Sequence, residues 1–179
     1  PKLHTEGSLS LFFNSSNLKL ISISENLINK IWFKKNITKP KKFYKLPNKI
    51  AGQSPKHKIA KLSKKMRENK INFQFISSPE NVAWLLNLRG TDSEYTPIPN
   101  SYLVLDSNSK VFFFCDLKKI DNKLKKNLGN VIINKIEYIN EFLLKIKKKN
   151  VQIDRTSCSI FFKNLLEKNN KIIKKQDPI

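Results

Sequence analysis

The side chains best suited to chemistry cluster in one stretch, Val82-Ala83-Trp84-Leu85-Leu86-Asn87-Leu88-Arg89-Gly90-Thr91-Asp92, followed by Tyr95, Pro97 and Ser101-Tyr102. It brings a guanidinium, a carboxylate, an amide and aromatic rings to the end of one apolar segment and the loop leaving it. Arg89 is one of three arginines, with Arg67 and Arg155, among 35 basic residues. A planar fork of donors is thus singled out where a lysine is the rule. Two readings stand side by side. Arg89 and Asp92 could bridge the turn and fix the loop, with Trp84 in the core; or Asn87, Arg89 and Asp92 could line a substrate cleft, as loops leaving regular elements often do. Tyr102, on a strand, reads as packing, and Gly90 as the residue that stops the helix in a left-handed conformation.

Elsewhere the inventory for catalysis is thin. The two histidines, His4 and His57, lie in different segments, and a zinc or manganese centre needs three or four convergent ligands. Asp106, Asp116, Asp121 and Asp154 are scattered, with no histidine at a matching spacing. Cys115 ends the apolar run Phe112-Phe113-Phe114 and reads as a small buried hydrophobe. Cys158 reads as lying in the first turn of a helix, where the dipole would lower its pKa, though packing is its simpler role. The four glycines are isolated, so no phosphate-cradling loop is present. The expectation is a chain with no catalytic residue and no metal ligand of its own.

The elements that must position the central stretch follow from periodicity and caps. Thr5 caps a short helix carrying Leu9, Phe12 and Phe13; Leu18 to Ile23 alternates like a strand; Glu25 to Phe33 places Leu27, Ile28, Ile31 and Trp32 on one helical face. From Lys34 to Gln53, lysines around Pro40, then Pro47 and Gly52, mark a surface linker. Ser54-Pro55 and Ser78-Pro79 each read as an N-cap with proline at the first helical position. Between those helices Asn72 to Ile76 is a strand. Ser101 to Leu105 and Val111 to Cys115 pair as a hairpin through Asp106-Ser107-Asn108-Ser109. A helix through Leu117 and Leu124, strand Val131 to Asn134, helix Ile139 to Lys147, strand Val151 to Ile153, helix Ser157 to Lys168 and strand Lys171 to Ile173 complete the pattern. This predicts an α/β fold, a mixed sheet with helices on both faces. The division expected is a remnant of a first domain at 1–35, a linker at 36–52, a complete second domain at 53–176, and a connection beginning at 177–179.

A net charge of +21 would ordinarily point to nucleic acid. Here 32 of the basic residues are lysine, beside 21 Asn and 21 Ile, the products of A/T-rich codons. Phosphate recognition favours arginine forks and interleaved aromatics, whereas the aromatics here fall on apolar faces. The charge therefore reads as solvated surface, without specific nucleic-acid binding. A basic nucleic-acid-associating domain and a stand-alone interaction domain remain the alternatives. No apolar run approaches the roughly 20 residues of a membrane span, and no secretory leader is recognisable. The two cysteines form no C-x-x-C pair, which fits a cytoplasmic, reducing setting. A chain that starts at Pro1 reads as cut, processed or truncated.

The string Trp84-Leu85-Leu86-Asn87-Leu88-Arg89-Gly90, with Asp92, Pro97 and Ser101-Tyr102 after it, resembles a segment of the three-domain, cytosolic-type Xaa-Pro aminopeptidases of the creatinase/prolidase family. Glu25-Asn26-Leu27-Ile28-Asn29-Lys30-Ile31-Trp32 is similar to the end of that family's first domain. Ala51-Gly52-Gln53-Ser54 with Lys58-Ile59 resembles the start of its second, and Asp177-Pro178-Ile179 the element before its catalytic domain. Asn29 stands where an aspartate is usual, and Ile98-Pro99-Asn100 departs from the usual loop. The resemblance implies a creatinase/prolidase N-terminal-like, ribonuclease-H-like fold. It further implies a parent that removes an N-terminal residue preceding proline, using two divalent metal ions, manganese in the usual case. Those metals would sit in a pita-bread domain of the same polypeptide beyond Ile179. The part present would be non-catalytic, shaping access for proline-containing peptides and the subunit arrangement, which allows a homodimer.

Overall fold

A computed structural model describes residues 2–14, 17–18, 21, 23, 27–31 and 41–178. Its helices are α1 (Glu6–Phe13), α2 (Ile28–Ile31), α3 (Asn48–Ala51), α4 (Pro55–Glu68), α5 (Pro79–Leu86), α6 (Asn122–Leu128), α7 (Ile139–Lys145) and α8 (Ile160–Glu167). Its strands are β1 (Tyr44–Lys45), β2 (Phe73–Ile76), β3 (Leu88–Arg89), β4 (Ser101–Asp106), β5 (Val111–Cys115), β6 (Ile132–Lys135), β7 (Asn150–Ile153) and β8 (Lys171–Lys174).

Side chains alternate across a strand, and this alternation builds the core. β4 sends Leu103 and Leu105 to one face and Tyr102 and Val104 to the other; β5 sends Val111, Phe113 and Cys115 to the first and Phe112 and Phe114 to the second. On the first face these residues meet Ile59, Leu62 and Met66 of α4, Val82, Leu85 and Leu86 of α5, and Leu124 and Leu128 of α6. On the second they meet Ile139 and Leu143 of α7 and Phe162 and Leu166 of α8. Both faces are covered, so the strands read as nearly continuous apolar runs.

The six-stranded sheet has the order β6-β5-β4-β2-β7-β8. β4 runs antiparallel to both β2 and β5, while β2/β7, β7/β8 and β5/β6 are parallel. The mixed sheet flanked by helices is the fold expected from the sequence. The β4–β5 hairpin turns where expected: Asp106 Oδ1 accepts the Asn108 and Lys110 amides at 2.8 Å each, and Ser109 takes φ 69°.

The caps follow the sequence signals. Thr5 and Ser8 form a reciprocal capping box on α1, and Ser54 and Ser78 accept from the amides of His57 and Asn81. Other boundaries move. The helix expected around Leu117 and Leu124 is a 3-10 turn, Leu117–Lys119, followed by α6, because Asp121 caps a new start by accepting from Leu124 N. α8 starts at Ile160 because Ser159 supplies the cap, which leaves Cys158 ahead of the helix. Of the strand expected at 18–23, residues 18, 21 and 23 are described and none is in a strand; the others lie outside the described residues. Of the helix expected at 25–33, residues 27–31 are described; α2 spans Ile28–Ile31 and residue 27 lies in a turn ahead of it.

The segment read as a surface linker is docked over its described part. Phe43 is buried, its amide donates to Lys119 O at 2.8 Å, and β1 pairs antiparallel with β3. α1 also leans on the sheet domain. Gly7 N donates to Arg155 O, Ile160 N to His4 O, and Glu6 takes Lys163 and Lys174 as ion-pair partners.

Leu143 has no exposed surface and packs under β4 and β5. Leu143→Ala should lower stability by about 2–5 kcal/mol, seen as a lower urea midpoint at unchanged m value. Lys147→Ala, on the exposed surface next door, should change it by less than about 0.5 kcal/mol.

Candidate functional site

The site begins with the way α5 ends. Asn87 takes φ 52° and ψ 38°, a left-handed turn, and its amide returns to Ala83 O and Trp84 O. The left-handed stop thus belongs to Asn87 and not to Gly90, which has no positive φ. Asn is one of the few residues that enter this region readily. Gly90 is needed for a different reason. A Cβ there would lie 2.8 Å from Ile98 O, 2.9 Å from a Phe43 ring carbon and 2.9 Å from Pro99 Cα. Two of those neighbours are backbone, so only glycine lets the 97–99 loop cross this close.

Asn87 is 1 % exposed and its side chain is fully engaged. Its Oδ1 accepts from Lys58 Nζ at 2.7 Å, and its Nδ2 donates to Gln53 O at 2.8 Å and Asn48 Oδ1 at 3.2 Å. Lys58, itself buried, also donates to Trp84 O at 2.8 Å and lies 4.0 Å from the Trp84 ring centre. Trp84 is half-exposed, a lid on Lys58 and not a core residue. Burial, and secondarily the nearby Arg89 guanidinium, holds the Lys58 ammonium below the usual lysine range.

Arg89, on β3, donates through Nη1 to Leu88 O at 2.8 Å and Ala83 O at 3.2 Å. Its Nε and Nη2 make no bond among the described residues. Asp92 does not bridge to Arg89. It pairs with Lys119 and accepts the Asn100 amide at 2.7 Å, with its side chain only 6 % exposed. Asn87 and Asp92 therefore hold the loop in place, and Arg89 alone of the three keeps free donors. Tyr102 lies on the opposite face of the sheet, its ring 5.0 Å from Phe162 and 5.9 Å from Phe75.

A second polar cluster, which sequence reasoning missed, closes the far end of the domain. Asp177 is 8 % exposed. It accepts Asn81 Nδ2 at 2.7 Å and Gln74 Nε2 at 3.0 Å, and its amide donates to Asp154 Oδ2 at 2.9 Å. Asp154 also accepts the amide and hydroxyl of Thr156. Burial raises the Asp177 carboxyl above the usual range. Burial also acts on Asp154, but its hydrogen bonds to Thr156 and the Asp177 amide win and lower it. The nearest signal in the sequence was the closing Asp-Pro pair.

No group of three His, Cys, Asp or Glu among the described residues could hold a metal ion. Both thiols are buried and pushed up to about 12 by that burial. For Cys158 the buried position ahead of α8 overrides the helix dipole expected to lower it. No helix among the described residues is long and apolar enough to cross a membrane.

The family model for the creatinase/prolidase N-terminal domain matches residues 34–179. Xaa-Pro aminopeptidase 1 of Dictyostelium discoideum is 31 % identical over 173 residues, 89 % of this chain and 27 % of that protein. A protein of Laccaria bicolor named "Probable Xaa-Pro aminopeptidase P" is 34 % identical over 140 residues, 78 % of this chain and 22 % of that protein. Among solved structures, the X-prolyl aminopeptidase of Caenorhabditis elegans, described as a cytosolic enzyme with a di-nuclear active site, superposes with a TM-score of 0.78 at 21 % identity. That match covers 87 % of this chain and 27 % of that one. The chain spans about a quarter of the length of these relatives.

Gly90→Ala should cost about 2 kcal/mol or more, because backbone atoms must move to admit the methyl; matched urea titrations check it. Both thiols have folded pKa values near 12 against the ordinary 9.0, so the folded state binds more protons. Their contribution to stability is complete below about pH 9 and is lost as pH rises towards 12. Ellman's reagent at pH 8 should leave native Cys115 and Cys158 unreacted and titrate both in denaturant.

Proposed function

This chain belongs to the creatinase/prolidase N-terminal domain family, and we propose that it is the non-catalytic central part of an Xaa-Pro aminopeptidase. The match over residues 34–179, together with relatives of that name, carries the reading. In the parent, a following pita-bread domain of the same polypeptide would hold two divalent ions, manganese in the usual case. Those ions would supply an activated water and Lewis acidity towards the scissile carbonyl. The domain described here would form one wall of the cleft that admits proline-containing peptides. Residues 1–35 would close a preceding domain of similar type, and the whole would work as a cytoplasmic enzyme.

Within that wall, Arg89 is the residue free to act. The Lys58–Asn87 bond and the Asp92–Lys119 pair fix the loop on either side of it. Two of its donor nitrogens remain available for a carboxylate or a carbonyl of a peptide, or for a residue of the neighbouring domain. A guanidinium held at the mouth of a cleft binds substrate and transition state alike, so it acts on KM more than on kcat.

The full-length protein carrying this chain should release the first residue of an X-Pro peptide when loaded with manganese, and lose that activity to a chelator. The 179-residue chain alone should release none. In the full-length enzyme, Arg89→Ala should raise KM roughly tenfold, the equivalent of about 1.4 kcal/mol, with kcat nearly unchanged, and Arg89→Lys should fail to restore it. Activity from the chain alone would overturn the reading.

A further inference from the structure

The outgoing end of the chain is fastened at one side chain. Residues 175–178 leave β8 along the C-terminal end of β7, where Lys175 N donates to Ile153 O at 3.1 Å. Two residues on, Asp177 turns inwards and becomes buried while Gln176 and Pro178 on either side stay exposed. Its two oxygens go to different elements, Oδ1 to Gln74 of β2 and Oδ2 to Asn81 of α5, and its amide goes to Asp154 in the turn after β7. Three pieces of the domain therefore grip one residue of the exit.

The choice of residue is informative. The chain has 35 basic side chains, yet neither Asp177 nor Asp154 has an ion-pair partner among the described residues. Among the described residues Asp177 is held by neutral amides alone, and Gln74 Oε1 is buried without a partner. A buried carboxylate without a counter-charge is a poor way to gain stability. Amide donors aimed at its two oxygens from separate elements are a good way to fix a position.

What is fixed is the exit relative to α5. That helix is about 12 Å long. Its first turn carries Asn81, and its last turn supplies Ala83 O to the Arg89 guanidinium. Val82, Leu85 and Leu86 are fully buried, so α5 does not shift with the exit; the exit is set by α5. We propose that Asp177 is a positioning residue, which ties the outgoing chain to the helix carrying Arg89 and so sets where the following domain stands relative to that guanidinium. This rests on the reading of the parent as an Xaa-Pro aminopeptidase.

The test uses the full-length enzyme, manganese and an X-Pro peptide, with a double-mutant cycle. Asp177→Ala should raise KM several-fold with kcat nearly kept, and should add nothing to the KM of Arg89→Ala, because its effect passes through Arg89. Asp177→Asn should recover most of the loss. Its oxygen still accepts from Asn81, its amide can donate to Gln74 once that amide turns over, and no charge is buried. Hydrogen exchange should quicken at 175–177 in Asp177→Ala and stay unchanged in β4 and β5, with Tm within about 2–4 °C of the parent. Multiplicative effects of Asp177→Ala and Arg89→Ala, wild-type kinetics in Asp177→Ala, or a general rise in exchange across the sheet would each overturn the proposal. An inactive parent enzyme would instead sink the reading it rests on.

Discussion

One buried amide, that of Asn87, sets the geometry on which the rest of this face depends. It turns α5 by adopting a left-handed conformation, sends the chain straight into β3, and bonds to α4, to Gln53 ahead of α4 and to α3. A glycine would make the same turn but lose all three side-chain bonds. An aspartate would give Lys58 a counter-charge but leave Gln53 O and Asn48 Oδ1 facing an acceptor. The asparagine amide accepts on one side and donates two bonds on the other. Once it is seated, β3 can pair with β1, and Arg89 reaches back to Ala83 O.

Much of this was legible because it is local. Ser54 and Ser78 each cap a helix through a bond spanning three residues, and such bonds leave a fingerprint in a short window. The β4–β5 hairpin announced itself by two apolar runs around Asp106 and Asn108. The features missed are those with no period to detect. A two-residue ladder between Tyr44–Lys45 and Leu88–Arg89 looks like linker, because two residues cannot alternate. Propensity assigns the stop of α5 to Gly90, whereas Asn87, whose side chain has three partners, takes the left-handed position and the glycine serves close packing. Asp177 joins residues 96 and 103 positions away, and nothing local marks it. Cys158 has the sequence position of a helix start, yet Ser159 is the cap and burial decides the thiol.

The charge of the chain divides by depth. Outside, lysines dominate and are solvated, and the i,i+4 pair of Lys145 with Glu141 is of a kind worth a few tenths of a kcal/mol. Inside, Lys58 has an amide, a carbonyl and an indole face in place of a carboxylate, and Asp177 has two amides in place of an ammonium. Asp92 with Lys119 is the exception, a largely buried ion pair that pins the loop after Arg89.

That preference for neutral partners bears on what the domain is for. An ion pair tolerates rotation and slippage, since Coulomb attraction varies slowly with angle, whereas an amide hydrogen bond weakens steeply away from alignment. A network of amides at both ends of α5 fixes directions, at some expense in stability for the charges it encloses. On the proposed reading, a wall that presents one guanidinium to a cleft shared with another domain needs directional precision at two points, the guanidinium and the joint. Asn87 and Asp177 stand at those two points, at opposite ends of one short helix whose apolar side is locked into the sheet.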